Sequence, residues 1–455
     1  MIQAVALLAG MAFIAALYWA ERDGRGGVSH ALWIPWIWIL TLCSRSPMAW
    51  FDTAPSGSTT ARYTEGNPLE TVLYAGLILA ALLVLNFRAQ KLKSLLRANG
   101  PLLLFCFFCA LSLLWTEDPL LALKRWIKGM GTLSMILVLL TEEAPLQAIK
   151  RLLAGTATLL LPLSALLILF FPGIGTRYDS VMHITYYIGV TTQKNELGMC
   201  CLFCGIGAFW ALQCAYADRT TPHRGRQRAA YAILIVLAFV LIKVCDSMTS
   251  FSALTLACAV LFLLPRLHHR SGAHWLVCGV IALAAFASLL DSSGWLLQLL
   301  GRNASLTGRT DIWRAVLLLH TNPLLGTGFE SFWTDERIER VWEIIGYKGI
   351  AEAHNGYLET YINLGWAGVA MLAMLIVTGY RNAMRSLGEN ASLGRLQLAL
   401  FASSLIFNLS ESGFRMMSAV WVAFLLASVQ SLPMSATDGT HAATPPTDEA
   451  MRVLY

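Results

Sequence analysis

Charge is what this sequence has least of. Only 13% of its 455 residues are Asp, Glu, Lys or Arg, against 56% hydrophobic, whereas soluble globular chains carry about a quarter charged residues. A water-soluble domain of any size is thereby excluded. Several motifs are also missing: there is no P-loop, no GxGxxG unit and no HExxH, and no DxD pair stands in the connectors assigned below to the outer face. Nucleotide-dependent and metal-dependent transfer gain no support, so neither a cofactor nor a metal ligand is expected. Ionisable residues inside the apolar runs are few, Lys243 and Asp246 being the main pair. That weakens an ion-coupled transporter, which needs such groups near the midplane.

What the chain does have is a succession of apolar runs from Met1 to about residue 432. The candidate spans are 2–20, 29–43, 69–86, 101–115, 126–141, 152–171, 197–217, 230–246, 250–264, 275–290, 356–380, 396–410 and 416–432. The expected fold is all-α, a polytopic membrane protein of about 12–13 transmembrane helices. Twelve would result if 250–264 were re-entrant. The first run lacks a basic leader and a cleavage site, so it reads as a retained span. The ten Cys residues lie in or beside apolar runs. Even the CxxC pairs Cys106/Cys109 and Cys201/Cys204 read as small apolar filler, with no second ligand pair nearby.

Orientation follows from the cations. Connectors 87–100 (Arg88, Lys91, Lys93, Arg97), 218–229 (Arg219, Arg224, Arg226, Arg228), 265–274 (Arg266, Arg270) and 381–395 (Arg381, Arg385, Arg395) are basic and nearly free of acids. They belong in the cytoplasm. The +6 net charge is therefore an orientation signal, not a nucleic-acid footprint. Loops 44–68, 116–125, 172–196 and 291–355 fall on the opposite face. Residues 1–432 form one transmembrane domain that includes the long 291–355 loop. Residues 433–455, rich in Thr, Ala and Pro, are expected to be a disordered cytoplasmic tail.

A loop of that length is usually functional or has structure of its own. Residues 311–320 predict a short helix stopped by Asn322-Pro323. Residues 335–348 place Ile338, Val341, Trp342 and Ile345 on one stripe, which predicts a helix lying on the outer membrane surface.

The outer loops also carry cations against the usual bias. Lys124, Arg125 and Lys128 stand at the entry to the 126–141 span; Lys194 stands at the outer mouth of the 197–217 span; Arg302 and Arg309 are in the long loop. Each alone could be a snorkelling anchor. Together they suit an anionic lipid head or a diphosphate, with Arg309 beside a helix start that also favours anions. His354 precedes the 356–380 span, where the helix dipole disfavours imidazolium, so a neutral, proton-accepting imidazole is expected. The alternative is a His that merely caps the loop. Asn355, Tyr357 and Glu359 are the polar neighbours expected to orient a hydroxyl-rich substrate.

Seven stretches carry a resemblance: ALWIPWIWILTLCSRSPMAWF (31–51), LSLLWTEDPLLALKRWIKGMGTL (111–133), TTQKNELG (191–198), CDSMTSFSAL (245–254), GRTDIW (308–313), HTNPLLGTGFESFW (320–333) and AHNGYLETYINLGWAG (353–368). In this order they resemble the O-antigen ligase/polymerase superfamily of bacterial envelope glycosyltransferases, in its exopolysaccharide polymerase branch. The resemblance implies metal-independent, inverting glycosyl transfer on the periplasmic face of the inner membrane, from a polyprenyl-diphosphate-linked oligosaccharide donor to a saccharide acceptor. It implies that His354 is the essential loop His, that Arg309 is the essential loop Arg, and that Lys194 and Arg125 hold diphosphate. Many relatives carry His where this chain has Gln193. A ligase with the same donor chemistry, a transporter for a small anion or lipid-linked sugar, and a non-catalytic assembly factor are the rival readings. Membrane lipids, and as partner proteins a flippase and a chain-length regulator, complete the expected surroundings.

Overall fold

The computed structural model describes residues 1–21, 27–51, 68–179, 183–218, 223–267, 269–292, 308–319 and 322–430. The expected tail, Arg219, Arg302 and part of the long loop lie outside these residues. The chain is all-α, as expected. Among the described residues, the one sheet is a hairpin pairing Thr176–Asp179 with Ile184–Tyr187.

Every expected span overlaps a helix, with ends that differ by up to several residues. Among the described residues, eight helices are long and apolar enough to cross a membrane: Ile2–Glu21, Leu69–Phe87, Pro145–Phe170, Lys194–Ala217, Arg224–Val244, Met248–Arg266, Arg270–Ser288 and Gly356–Glu389. The pair Ala89–Ala98 and Gly100–Leu114, bent by 86°, counts as a ninth if it is one span. Helices His30–Cys43, Ala391–Phe407 and Ala419–Ser428 are apolar but shorter than the roughly 20 residues an upright span requires.

Local chemistry sets several boundaries. Pro119 opens the Pro119–Leu140 helix, where its missing N–H costs nothing, and Asp118 accepts from Leu121 N at 3.0 Å as N-cap. Helices Pro145–Phe170 and Lys194–Ala217 are 72% buried over their apolar windows, against 11% for Ile2–Glu21 and Arg270–Ser288. The first two form the centre of the bundle and the last two its rim. Glycine allows the centre to close: a Cβ at Gly207 would stand 2.7 Å from Leu153 Cβ, and one at Gly198 2.6 Å from two Ser hydroxyls.

The two sets of loops separated by charge meet within their own set. At one end, Arg88 pairs with Glu142 at 2.7 Å, Asn99 Nδ2 donates to Gln430 O, and Gln227 Nε2 donates to Glu21 O. At the other end, Arg45 donates to the carbonyls of Thr191 and Gly189. There Trp115 donates to Leu325 O, Arg125 to Glu330 O, and Arg337 pairs with Glu117.

This second end carries a small core of its own. Helices Arg309–Leu318 and Asp335–Ile345 bury Ile312, Ala315, Val316, Ile338, Val341 and Trp342 together with Phe332, Trp333 and Ile362. The stripe of the 335–348 segment therefore faces protein, contrary to the expected membrane-surface helix. A short helix can bury such a stripe in either medium, and here the 309–318 helix competes successfully for it.

The Gly356–Glu389 helix is broken at Gly365, whose φ of 63° and ψ of −165° are non-helical. A break frees backbone groups that hydrocarbon cannot satisfy. Segment 323–328 supplies their partners: Thr327 N donates to Ile362 O, Gly328 N to Asn363 O, Trp366 N to Pro323 O and Ala367 N to Leu324 O. The contact needs two facing glycines, because a Cβ on Gly326 or Gly365 would lie within 2.4 Å of the other strand's backbone. The P-x-x-G-x-G and N-L-G stretches are thus two halves of one joint. It separates the short helix after His354 from the membrane helix that follows.

Candidate functional site

The broken helix begins where the small core meets the bundle. Asn355 is its N-cap, accepting from Tyr357 N and Leu358 N at 3.0 Å. The same side chain donates to Leu409 O at 3.1 Å, and Gly356 N donates to Asn408 O at 3.0 Å. Segment 353–356 is therefore docked edge to edge on 408–411. The latter belongs to a partly buried, non-helical connector between helices Ala391–Phe407 and Ala419–Ser428.

His354 sits at the centre of this junction with φ of 47°, a left-handed conformation that costs a non-glycine residue about 1 kcal/mol or more. Its neighbours hold it there: Ala353 N donates to Glu359 Oε2 at 3.0 Å, and Ala353 O accepts from Trp313 Nε1 at 2.9 Å. The imidazole Nδ1 lies 3.1 Å from Glu411 Oε2 and 3.3 Å from Glu352 Oε1. Nε2 has no hydrogen-bond partner among the described residues. The other oxygen of Glu411 accepts from Arg309 Nη2 at 2.8 Å and from Asn195 Nδ2 at 3.0 Å. One carboxylate, 6% exposed, thus joins elements 195, 309, 354 and 408–411.

The electrostatics around His354 pull in two directions. Burial favours neutral His354, as the helix N-terminus would, but the hydrogen bond to Glu411 and the charges of Glu352 and Glu411 outweigh it. The pKa is raised above the ordinary 6.5, with Arg309 opposing. Burial likewise raises the Glu352 carboxyl, with Glu411 adding to the shift and His354 and Arg415 opposing it.

The expected site residues divide into two groups. His354 and Arg309 meet through Glu411. Lys194 is next to Asn195, its Nζ 5.0 Å over the Tyr186 ring. Arg125 donates to Glu330 O on the neighbouring loop, and its charge and that of Arg415 are felt by one another. Lys128 points elsewhere, with Nζ 5.2 Å over the Tyr74 ring. Three residues expected to contact substrate make hydrogen bonds within the scaffold. Asn355 is the cap just described, and the Tyr357 hydroxyl donates to Leu405 O at 3.1 Å. Glu359, 6% exposed, accepts from Trp333 Nε1 at 2.7 Å and from Ala353 N. Their polar atoms close the loop around His354, because buried polar groups must find partners inside the fold.

Sequence reasoning missed Glu352, Glu411 and Arg415. The signal is faint: two opposite charges in the short stretch SESGFR between apolar runs.

Glu352, His354 and Glu411 each offer a ligand atom within 4.8 Å of the others, the spacing a divalent cation would need. Yet Nδ1 makes hydrogen-bond-length contacts with both carboxylates, and Arg309 already places positive charge on Glu411. The arrangement is that of a proton-sharing cluster. It can orient an imidazole with Nε2 as acceptor and present a guanidinium to an anion beside it.

Residues 230–373 match the family model described as O-antigen ligase, a stretch containing both Arg309 and His354. The chain is also 24% identical over 307 residues to the exopolysaccharide production protein ExoQ of Rhizobium meliloti (strain 1021). That alignment covers 62% of this chain and spans 65% of the relative's length. Both findings bear out the resemblance to the O-antigen ligase/polymerase superfamily of bacterial envelope glycosyltransferases.

Proposed function

We propose that this protein is a polysaccharide polymerase of the bacterial inner membrane. It joins polyprenyl-diphosphate-linked saccharide repeat units on the periplasmic face by metal-independent, inverting glycosyl transfer. The observation that carries the reading is the buried Glu411 carboxylate holding His354 by one oxygen and Arg309 by the other. A base and an anion-binding group then stand side by side, on the face that the cation pattern puts outside.

An acceptor hydroxyl is a weak nucleophile near neutral pH. His354 Nε2 takes its proton as the oxygen bonds to the anomeric carbon of the donor. The bond from that carbon to the diphosphate oxygen breaks with its electron pair, and negative charge grows on the departing lipid diphosphate. Arg309 stabilises that charge, with Lys194 and Arg125 as the further cations of the same end. Both substrates are tethered to the membrane, so holding them in line supplies much of the rate. A raised His354 pKa gives a stronger base and a smaller neutral fraction at pH 7. Activity therefore climbs as pH rises through that value.

The test is purified protein in lipid vesicles with a defined polyprenyl-diphosphate oligosaccharide. A ladder of longer lipid-linked products with inverted linkage is expected. Flux across the bilayer without bond formation would put a transporter in its place. A ligase is the second reading, because the matched family model carries that description. It predicts transfer to a lipid-core or protein acceptor and no ladder.

A further inference from the structure

We infer that Glu411 is a positioning residue for glycosyl transfer: it selects the proton-accepting tautomer of His354 and fixes the distance between that base and the diphosphate-binding Arg309. The inference rests on the proposed function, and it concerns a residue beyond the stretch matched to the family.

Glu411 is 6% exposed and lies on the partly buried 408–418 connector, where an unused buried carboxylate would be destabilising. Its two oxygens are divided between two tasks. Oε2, 3.1 Å from His354 Nδ1, accepts a proton-bearing nitrogen, leaving the lone pair on Nε2, the ring nitrogen with no partner among the described residues. Oε1, 2.8 Å from Arg309 Nη2 and 3.0 Å from Asn195 Nδ2, anchors the guanidinium. An ionised carboxylate accepts at both oxygens, whereas an amide accepts at one and donates at the other. In Glu411→Gln, an amide oxygen turned to Arg309 turns the NH2 to His354 Nδ1. That favours the tautomer protonated at Nε2, which cannot take the acceptor's proton. The opposite flip faces Arg309 with a donor and loosens it. Glu352, 3.3 Å from the same Nδ1, cannot substitute, because no contact joins it to Arg309. The charged groups around His354 are Glu352, Glu411 and Arg309, with Arg415 and Glu196 acting on Glu352.

The experiment measures initial rates against pH in vesicles for wild type, Glu411→Gln, Glu411→Asp, His354→Ala and the double variant His354→Ala/Glu411→Gln. Glu411→Gln is expected to lose roughly 100-fold or more in kcat, to raise the donor KM, and to shift the acid limb of the rate to lower pH, because the carboxylate that raises the imidazole pKa is gone. Glu411→Asp keeps the charge and recovers part of the rate. In the His354→Ala background, the Gln substitution is expected to lower kcat no further. An unmoved acid limb, or independent losses in the double variant, overturns the positioning role. The thermal midpoint of each variant in detergent identifies one that has merely unfolded, and Glu411→Asp then decides by its pH profile. Wild-type protein that forms no glycosidic bond sinks the polymerase reading itself, a different outcome from any of these.

Discussion

Replacing Gly356 by Ala tests the junction that holds His354. A Cβ there would stand 1.8 Å from Asn408 Oδ1, 2.6 Å from Cγ and 3.0 Å from Cβ, against about 3.5 Å for ordinary contact. The amide would have to retreat by about 1.5 Å by this measure, and it cannot do so at small cost. Asn408 is fully buried, its Oδ1 accepts from Phe414 N at 2.7 Å, and its Nδ2 donates to Ser404 O at 2.8 Å. Overpacking costs about 1–3 kcal/mol and each broken buried bond about 1–3 kcal/mol, so a loss of about 2–5 kcal/mol is expected. The function should fall further than the stability. The bond from Gly356 N to Asn408 O is what sets His354 against Glu411, and a 1 Å misplacement costs about 100-fold in rate. Thermal inactivation in detergent gives the first quantity, and initial rates in vesicles the second. Asn408→Ala removes the two nearest atoms and leaves one contact of 3.0 Å to its own Cβ, so Gly356→Ala should cost less in that background than in the wild type. Gly356→Ala with wild-type midpoint and rate would show that the two segments are not docked as described.

The other predictions concern the chemistry. His354→Ala should cut chain extension at least about 100-fold, to a residual rate, while leaving insertion intact. In the wild type, kcat/KM should fall as the solution is acidified, with a midpoint above 6.5, because neighbouring carboxylates stabilise the imidazolium; a midpoint below 6.5 contradicts that electrostatic account. Arg309→Lys keeps the charge but offers a single point donor, so donor KM should rise at least tenfold, and an unchanged KM argues against contact with diphosphate. EDTA at millimolar concentration should leave the rate unchanged, since the donors of Glu352, His354 and Glu411 are occupied by hydrogen bonds and ion pairs; loss of rate restored by a divalent ion would make that trio a metal site.

The helices were legible in the sequence and their partners only partly. Runs such as 152–171 and 197–217 announce themselves by length and hydropathy, but nothing in their composition says which are central. The difference between the buried Lys194–Ala217 helix and the rim helix Arg270–Ser288 lies in small residues meeting large ones across the interface, Gly207 against Leu153 for instance. Such pairings are invisible to a one-dimensional pattern. The stripe of Ile338, Val341 and Trp342 shows the same limit. Periodicity reports that a face will be buried and is silent on whether lipid or protein covers it.

His354 and Arg309 stand out because histidine and arginine in an outer loop are chemically conspicuous, and the fold brings both onto Glu411. Asn355, Tyr357 and Glu359 have a structural task that spacing alone does not announce. Polar residues beside a conspicuous one attract a functional reading, yet a loop that buries a strained histidine needs capping groups first, and these three supply them. The residue that joins the site, Glu411, is more than fifty positions from His354, in a connector too short to stand out. A carboxylate at that depth is tolerated only if its neighbours compensate it, and Arg309, Asn195 and His354 do so from three separate elements. The cost of burying that one charge is what couples the loops, so removing it should separate the base from the guanidinium before it unfolds the helices that carry them.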